Sequence, residues 1–215
     1  MVSIYYSENN IEWTAGIYTR LAERLPAKEQ IRMKRYVRWQ DRQAGVIGKL
    51  LLQQGLADFR SICTLEDIVF NSYHKPYFLN GPFFNISHSG KYVVCCIADI
   101  PVGIDIEECK DIQIENFKSI FTNKEWENIA DHEYKNRMFY EYWTKKESVI
   151  KADGKGVNIP LHSIDVTKSI VNLDQNIWFL KMVEIDTDYY CCLALAADIK
   201  YVDIITIRKS YSEID

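Results

Sequence analysis

Three short segments of this 215-residue chain hold side chains that can do chemistry together. The first is Gly103-Ile104-Asp105-Ile106-Glu107, which alternates strictly. In a strand this puts Asp105 and Glu107 on one face and the two isoleucines on the other. Two carboxylates so placed repel each other unless a positive group lies between them. A hard cation such as magnesium accepts oxygen ligands of this kind while keeping waters and substrate phosphates. The plainer alternative is the solvated face of an edge strand. The second segment is a helical stretch in which Glu147 and Lys151, four residues apart, share a face. Glu147 could complete a three-carboxylate metal site while Lys151 neutralises phosphate oxygens, or the two could be an ordinary surface pair. The third is Asn85-Ile86-Ser87-His88-Ser89-Gly90, whose small hydroxyls, histidine and glycine suit either a phosphate-binding turn or a merely polar one. No nucleophile–His–acid triad is evident. Gly154-Lys155-Gly156 is too short for a Walker loop and reads as a flexible hinge or a helix stop.

The elements that must position these groups are legible in outline. Residues 2–6 read as a strand. Residues 27–56 read as helical, beginning near Pro26, with Ile31, Val37, Ile47, Leu50 and Leu51 on or near a buried face. Asn71 to Asn85 is loop-like. Tyr92–Ala98 reads as a buried strand, Asp99–Pro101 as a turn, and Val102–Glu107 as the partner strand. Thr122-Asn123-Lys124-Glu125 is a capping box that opens a helix. A second helix is expected over about 136–152, and strands near 177–185, 189–197 and 201–208. An apolar strand followed by an acidic turn and another strand occurs twice, at Tyr92–Ile106 and Tyr189–Ile205. Two related α+β halves are one account of this, and chance similarity of buried hairpins is the other.

Composition narrows the classes. At 47% hydrophobic and 26% charged, the chain can bury a core and is not disordered. Residues 1–104 carry 12 Lys+Arg against 9 Asp+Glu, and residues 105–215 carry 14 against 21. Within the first half, residues 20–49 hold nine Lys+Arg and three Asp+Glu, with Lys28, Arg32 and Arg35 one helical turn apart. An acidic chain overall argues against general nucleic-acid binding. The six cysteines include the adjacent pairs Cys95-Cys96 and Cys191-Cys192, which lack zinc-site spacing and read as reduced core residues of a cytoplasmic protein. No signal peptide and no membrane span is expected.

Together, Lys75-Pro76-Tyr77, Phe84 to Gly90, Val102 to Glu107, and Trp143-Thr144-Lys145-Lys146-Glu147-Ser148 with Lys151 and Gly154-Lys155-Gly156 resemble the Sfp-type 4'-phosphopantetheinyl transferases, in that family's order and near its spacing. The resemblance runs from about Ala27 to Pro160. It implies an α+β fold of two similar halves in a pseudo-twofold arrangement, residues 1–103 binding the coenzyme A nucleotide and residues 104–215 binding metal and carrier protein. It implies Asp105, Glu107 and Glu147 as Mg2+ ligands, Lys151 on the coenzyme A pyrophosphate, and Lys75 and Pro76 around the adenine end. Ser87 and His88 would contact nucleotide phosphates, and Lys28 and Arg32 the 3'-phosphate. Ala44 and Gly45 stand where that family often has a basic or hydroxyl side chain. Glu147 or a metal-bound water would act as base, and Glu147 and Lys151 would be the catalytic pair. The implied partner is a small acidic acyl or peptidyl carrier protein, from fatty-acid, peptide or polyketide synthesis. Ile112, Ile114, Phe117 and Ile120 would form either its docking surface or part of the core. A monomer is expected. The competing functions are a magnesium-dependent pyrophosphohydrolase acting on coenzyme A or a related nucleotide, and a coenzyme A-binding module without catalysis.

Overall fold

Runs of β-branched and aromatic residues too apolar to meet water on either face form the centre of the molecule. In the computed structural model, which describes residues 1–211, Tyr92–Ala98 is buried at every position. In chain order, β1 spans Val2–Glu8, followed by helices α1 (Ala15–Ala22), α2 (Ala27–Met33) and α3 (Trp39–Asp58). A short hairpin, β2 (Val69–Phe70) and β3 (Pro76–Tyr77), precedes β4 (Phe83–Ser89), β5 (Tyr92–Ala98) and β6 (Val102–Glu108). Then come α4 (Asn123–Asp131), α5 (Lys135–Asp153), β7 (Ile170–Leu173), β8 (Asn176–Met182), β9 (Tyr189–Leu195) and β10 (Ile204–Arg208). Among the described residues no helix is long and apolar enough to cross a membrane.

The strands form two four-stranded sheets, in the orders β10-β1-β5-β4 and β6-β9-β8-β7. Each sheet contains one β-α-β-β unit. The strands β1, β4 and β5 around α3 pair as β1-β5-β4, and β6, β8 and β9 around α5 pair as β6-β9-β8, every pair antiparallel. These are the two similar α+β halves expected of the fold. The matching segments Tyr92–Cys96 and Tyr189–Cys192 are inner strands, each occupying the same place in its sheet. Only β10 leaves its half, running parallel to β1 with Val2 opposite Ile204.

Side-chain alternation stacks the sheets. Tyr5, Cys95 and Ile97 pack with Leu51 of α3, while Ile4, Val94 and Cys96 meet Ile104, Ile106 and Leu193 between the sheets. On the far side, Leu180, Cys192 and Ala194 pack with Ile150 of α5. Adjacent cysteines therefore point into different cores, and all six thiols are free. The capping box at Thr122 starts α4, and Gly154 ends α5 in the left-handed region at φ 88°.

Several expectations are corrected. The helix read over 27–56 is two helices, because α2 folds back onto α3. Met33 packs where a Cβ on Gly45 would stand 2.2 Å from its sulfur. The chain reverses through 34–38, leaving Ile31 and Val37 59% and 96% exposed. The ladder partner of β6 is β9, not β5. Strand β7 lies outside the strands expected from the sequence. Its four residues, bounded by a left-handed Asp174, are too few for a periodic signal.

The contact that matters most for the site is between β6 and α5. A Cβ on Gly103 would stand 2.3 Å from both the Ser148 carbonyl oxygen and the Ala152 nitrogen. Both are helix backbone and cannot swing aside. Gly103→Ala is therefore expected to push α5 off β6 and to lower stability by about 1–3 kcal/mol. Urea unfolding checks this, and an unchanged midpoint would show that the helix is free to shift.

Candidate active site

Strands β4 and β6 run side by side without sharing a ladder, and side chains bridge them instead. Alternation puts Asn85, Ser87 and Ser89 on the β4 face that meets β6. Asn85 Oδ1 accepts from the Ile104 N–H at 3.0 Å. Ser87 Oγ donates to Asp105 Oδ1 at 2.8 Å. Ser89 Oγ donates to Glu107 Oε2 at 2.9 Å and accepts from the Glu108 N–H at 3.1 Å. The segment read as a phosphate-binding turn is thus mostly strand. Ser87 and His88 lie within β4, and only Gly90, at φ 51°, makes the turn.

From the other side, α5 delivers Trp143, Glu147 and Lys151, spaced one helical turn apart on a single face. Lys151 Nζ lies 2.5 Å from Asp105 Oδ1 and 2.8 Å from Ser87 Oγ. Trp143 Nε1 donates to Glu107 Oε1 at 3.2 Å. Asp105 and Glu107 are each held by two donors, whereas Glu147 is held by none among the described residues. Asp105 is only 2% exposed, so its place on β6 is not a solvated edge.

Burial raises the pKa of all three carboxyls. For Asp105 it outweighs the lowering by Lys151 and Ser87. For Glu107 and Glu147 the negative charge of Asp105 adds to it. Asp105 Oδ2 is buried and has no hydrogen-bond partner. No group of three or more His, Cys, Asp or Glu among the described residues is already gathered for a metal. By donor type, by shared negative charge and by this orphan oxygen, the three carboxylates nevertheless fit a hard cation once Glu147 turns toward the other two.

Beside this cluster opens a cavity of about 470 Å3, whose walls include Lys75, Pro76, Asn85, Glu147, Lys151 and Ile159. Of the residues singled out in the sequence, the structure brings together Ser87, Asp105, Glu107, Glu147 and Lys151, and sets Lys75 and Pro76 across the same cavity. Lys75 Nζ donates to the Ala152 carbonyl at 2.6 Å, and burial lowers its pKa. His88 points to the opposite face of β4 with its outer edge exposed; desolvation lowers its pKa, opposed mainly by Asp41. Lys28 and Arg32 sit exposed on α2 and line no part of this cavity. Lys28 is engaged by Glu66, through its carbonyl at 2.8 Å and its carboxylate at 3.5 Å. Ile114 is core, Ile112 and Ile120 are partly buried, and Phe117 is 38% exposed with its ring on Phe139 and Trp143.

Two holding groups were not given roles from the sequence, Ser89 and the Trp143 indole N–H. The alternation Asn85-x-Ser87-x-Ser89 was the available signal for the first, since three polar residues two apart on a strand share a face. For Trp143 there was no such signal, since nothing in helical periodicity shows where an indole N–H points.

Comparisons with known proteins agree along the chain. Residues 101–194 match the family described as the 4'-phosphopantetheinyl transferase superfamily, and residues 12–99 match 4'-phosphopantetheinyl transferase, N-terminal. The 4'-phosphopantetheinyl transferase gsp of Aneurinibacillus migulanus is 36% identical over 173 residues, covering 79% of this chain and 73% of that protein. A 4'-phosphopantetheinyl transferase of Bacillus subtilis is 34% identical, covering 71% and 70%. The human L-aminoadipate-semialdehyde dehydrogenase-phosphopantetheinyl transferase is 32% identical, covering 76% of this chain and 57% of that protein.

The Lys75 amine satisfies a carbonyl near the end of α5. Lys75→Met should lower stability by about 1–3 kcal/mol, the range for a charge-assisted bond whose acceptor is left buried. Urea denaturation measures it; no loss would mean that desolvating the amine cancels its bond.

Proposed function

The chain belongs to the 4'-phosphopantetheinyl transferase superfamily, and from that premise we propose that it transfers the phosphopantetheine arm of coenzyme A to a serine of an apo acyl or peptidyl carrier protein, with Mg2+ as cofactor and 3',5'-ADP as the leaving product. The observation that carries this reading is the Ser87–Asp105–Lys151 contact beside Glu107 and Glu147 at the cavity wall. Anionic and cationic groups meet there, as a metal-assisted reaction on a diphosphate requires, and no nucleophile of this chain is needed.

Asp105, Glu107 and Glu147 would hold the magnesium ion. When bound, the ion supplies Lewis-acid polarisation of the diphosphate and charge neutralisation on the departing nucleotide. The chain's own residues do the rest. Lys151 gives the diphosphate oxygens a positive partner, while Ser87 fixes the orientation of the Asp105 carboxylate. Glu147, which lines the cavity and is held by no donor among the described residues, takes the proton of the attacking serine hydroxyl, directly or through a bound water. The serine oxygen bonds to the β-phosphorus as the phosphorus–oxygen bond to 3',5'-ADP breaks. Residues 1–103 would bind the nucleotide, with Lys75 and Pro76 at its adenine end and Ser87, His88, Lys28 and Arg32 on its phosphates. Residues 104–215 would bring metal and carrier, with Phe117 on the docking side. The reading includes a monomer working in the cytoplasm.

Intact-mass spectrometry of an apo carrier protein with coenzyme A and magnesium tests the reaction. A gain of one phosphopantetheine, lost with EDTA and with Asp105→Ala, is expected. No gain across fatty-acid, peptidyl and polyketide carriers would sink the proposal, and release of 3',5'-ADP without carrier would point to hydrolysis. Glu147→Gln should lower kcat by about 10²–10⁴-fold, the usual share of a general base. Magnesium should also raise the melting temperature of the wild type but not of Asp105→Ala. An equal shift in both would remove Asp105 from the metal site.

A further inference from the structure

One wall of the cavity belongs to the turn between β2 and β3, and the facing wall belongs to α5. They come from opposite halves of the chain, and two side chains, Asn71 and Lys75, tie them together. Asn71 Oδ1 accepts from the Tyr73 and Lys75 N–H groups, both at 2.9 Å. Its backbone adds two further bonds within the turn, its N–H to the Lys75 carbonyl and its carbonyl from the His74 N–H. This network holds His74 in the left-handed region at φ 64°, a conformation that costs energy for any residue but glycine.

Forming the turn needs only the oxygen of Asn71 and its backbone. Its amide nitrogen does something else, donating to the Gly154 carbonyl at 3.2 Å, 83 residues along the chain. Gly154 is the left-handed cap of α5, and a Cβ there would stand 2.5 Å from Lys75 Cδ, so turn and helix end are in close contact. Lys75 Nζ on the Ala152 carbonyl makes a second tie. The helix so fastened carries Glu147 and Lys151 in its last turns. Asn71 itself does not line the cavity, but Tyr73, Lys75 and Pro76 do.

We propose that Asn71 is a positioning residue for the nucleotide of coenzyme A. Its amide locks the Tyr73–Pro76 wall at a fixed distance from the α5 residues that meet the diphosphate. This assignment rests on the transferase reading for the identity of the ligand. It predicts an effect on nucleotide binding rather than on the chemical step, because Lys151 keeps its own bonds to Asp105 and Ser87 whatever stands at position 71.

The test uses two variants of the whole chain. Asn71→Asp keeps an oxygen for both turn N–H groups but cannot donate to Gly154. Asn71→Ser keeps a shorter acceptor and cannot reach Gly154, without adding charge. Calorimetry with 3',5'-ADP, steady-state kinetics and melting temperature are measured on each. In both variants the Kd for 3',5'-ADP and the KM for coenzyme A should rise by about tenfold, the effect of one lost well-formed hydrogen bond, while kcat and the KM for the carrier change by less than about twofold. A fall in melting temperature with unchanged Kd and KM would make Asn71 purely structural and overturn the proposal. A rise in Asn71→Asp alone would be due to the added charge and would overturn it as well. If the wild type binds 3',5'-ADP but modifies no carrier, the transferase reading fails while the calorimetric comparison still decides the role of Asn71.

Discussion

Helix α5 can lie against β6 only because Gly103 has no side chain, and the candidate site depends on that contact. With helix backbone closer to β6 than any Cβ would allow, the Trp143–Glu147–Lys151 face of α5 lies over the Asp105–Glu107 face of β6. Trp143 reaches Glu107, and Lys151 reaches Asp105. The two contacts are two turns apart on α5, about 11 Å, but only two residues apart on β6, about 6.6 Å, and the reach of the long Trp143 and Lys151 side chains spans the difference. Had α5 stood a side chain farther away, Asp105 would have lost the ammonium that compensates its burial. A buried carboxylate without such a partner is strongly destabilising.

The seam between the halves is polar for a related reason. Two strand edges that run side by side and do not pair must still satisfy their backbone groups. Here β4 does so with side chains, and the cost is that three consecutive inward positions, Asn85, Ser87 and Ser89, cannot be apolar. The same hydroxyls then orient the carboxylates of β6. Joining the halves and building the site use one set of bonds, which is why the site sits at the junction. The cavity opens where α5 and the β2–β3 turn diverge from this seam.

Much of this was legible in the sequence where local chemistry determines structure. The unbroken apolar run of β5, the capping box at Thr122, the glycine stop at Gly154 and the alternation of β6 depend on neighbours in the chain, and each was read correctly. Pairing partners depend on residues far away. The ladder of β6 is with β9, some 87 residues downstream of it, and strand periodicity is silent about that. Val37 looked like a core position because it is apolar at a suitable spacing, but the reversal forced by Met33 on Gly45 put it in water. Lys146 lies fully buried against Glu125 at 2.7 Å, with the Leu161 and Ile164 carbonyls as further partners, a placement that its charged stretch of helix does not announce. Glu125 was recognised as the capping-box residue, but its second role, holding Lys146 and the Val166 N–H, is tertiary and has no local signature.

The electrostatics of the site set stability against function. Asp105, Glu107 and Glu147 all have pKa values raised first by burial, so the fold as it stands resists their full ionisation. A chain selected for stability alone would replace such a set with apolar residues of similar volume, which often gains stability. The arrangement keeps the charges and offsets them with a single ammonium, Lys151, which pairs directly with Asp105 and acts on Glu107 and Glu147 from farther off. That leaves Asp105 Oδ2 buried without a partner and Glu147 without a pinning donor. Under the proposed reaction both groups have work still to do, each toward the cation and Glu147 toward a proton as well. Ser87, Ser89 and Trp143 fix only the groups whose orientation must not change. An orphan oxygen alone does not mark a site, since Glu29 Oε2 of the buried Glu29–Lys49 pair is also without a hydrogen-bond partner; what sets Asp105 apart is that its orphan oxygen stands in a cluster of three carboxylates beside the cavity.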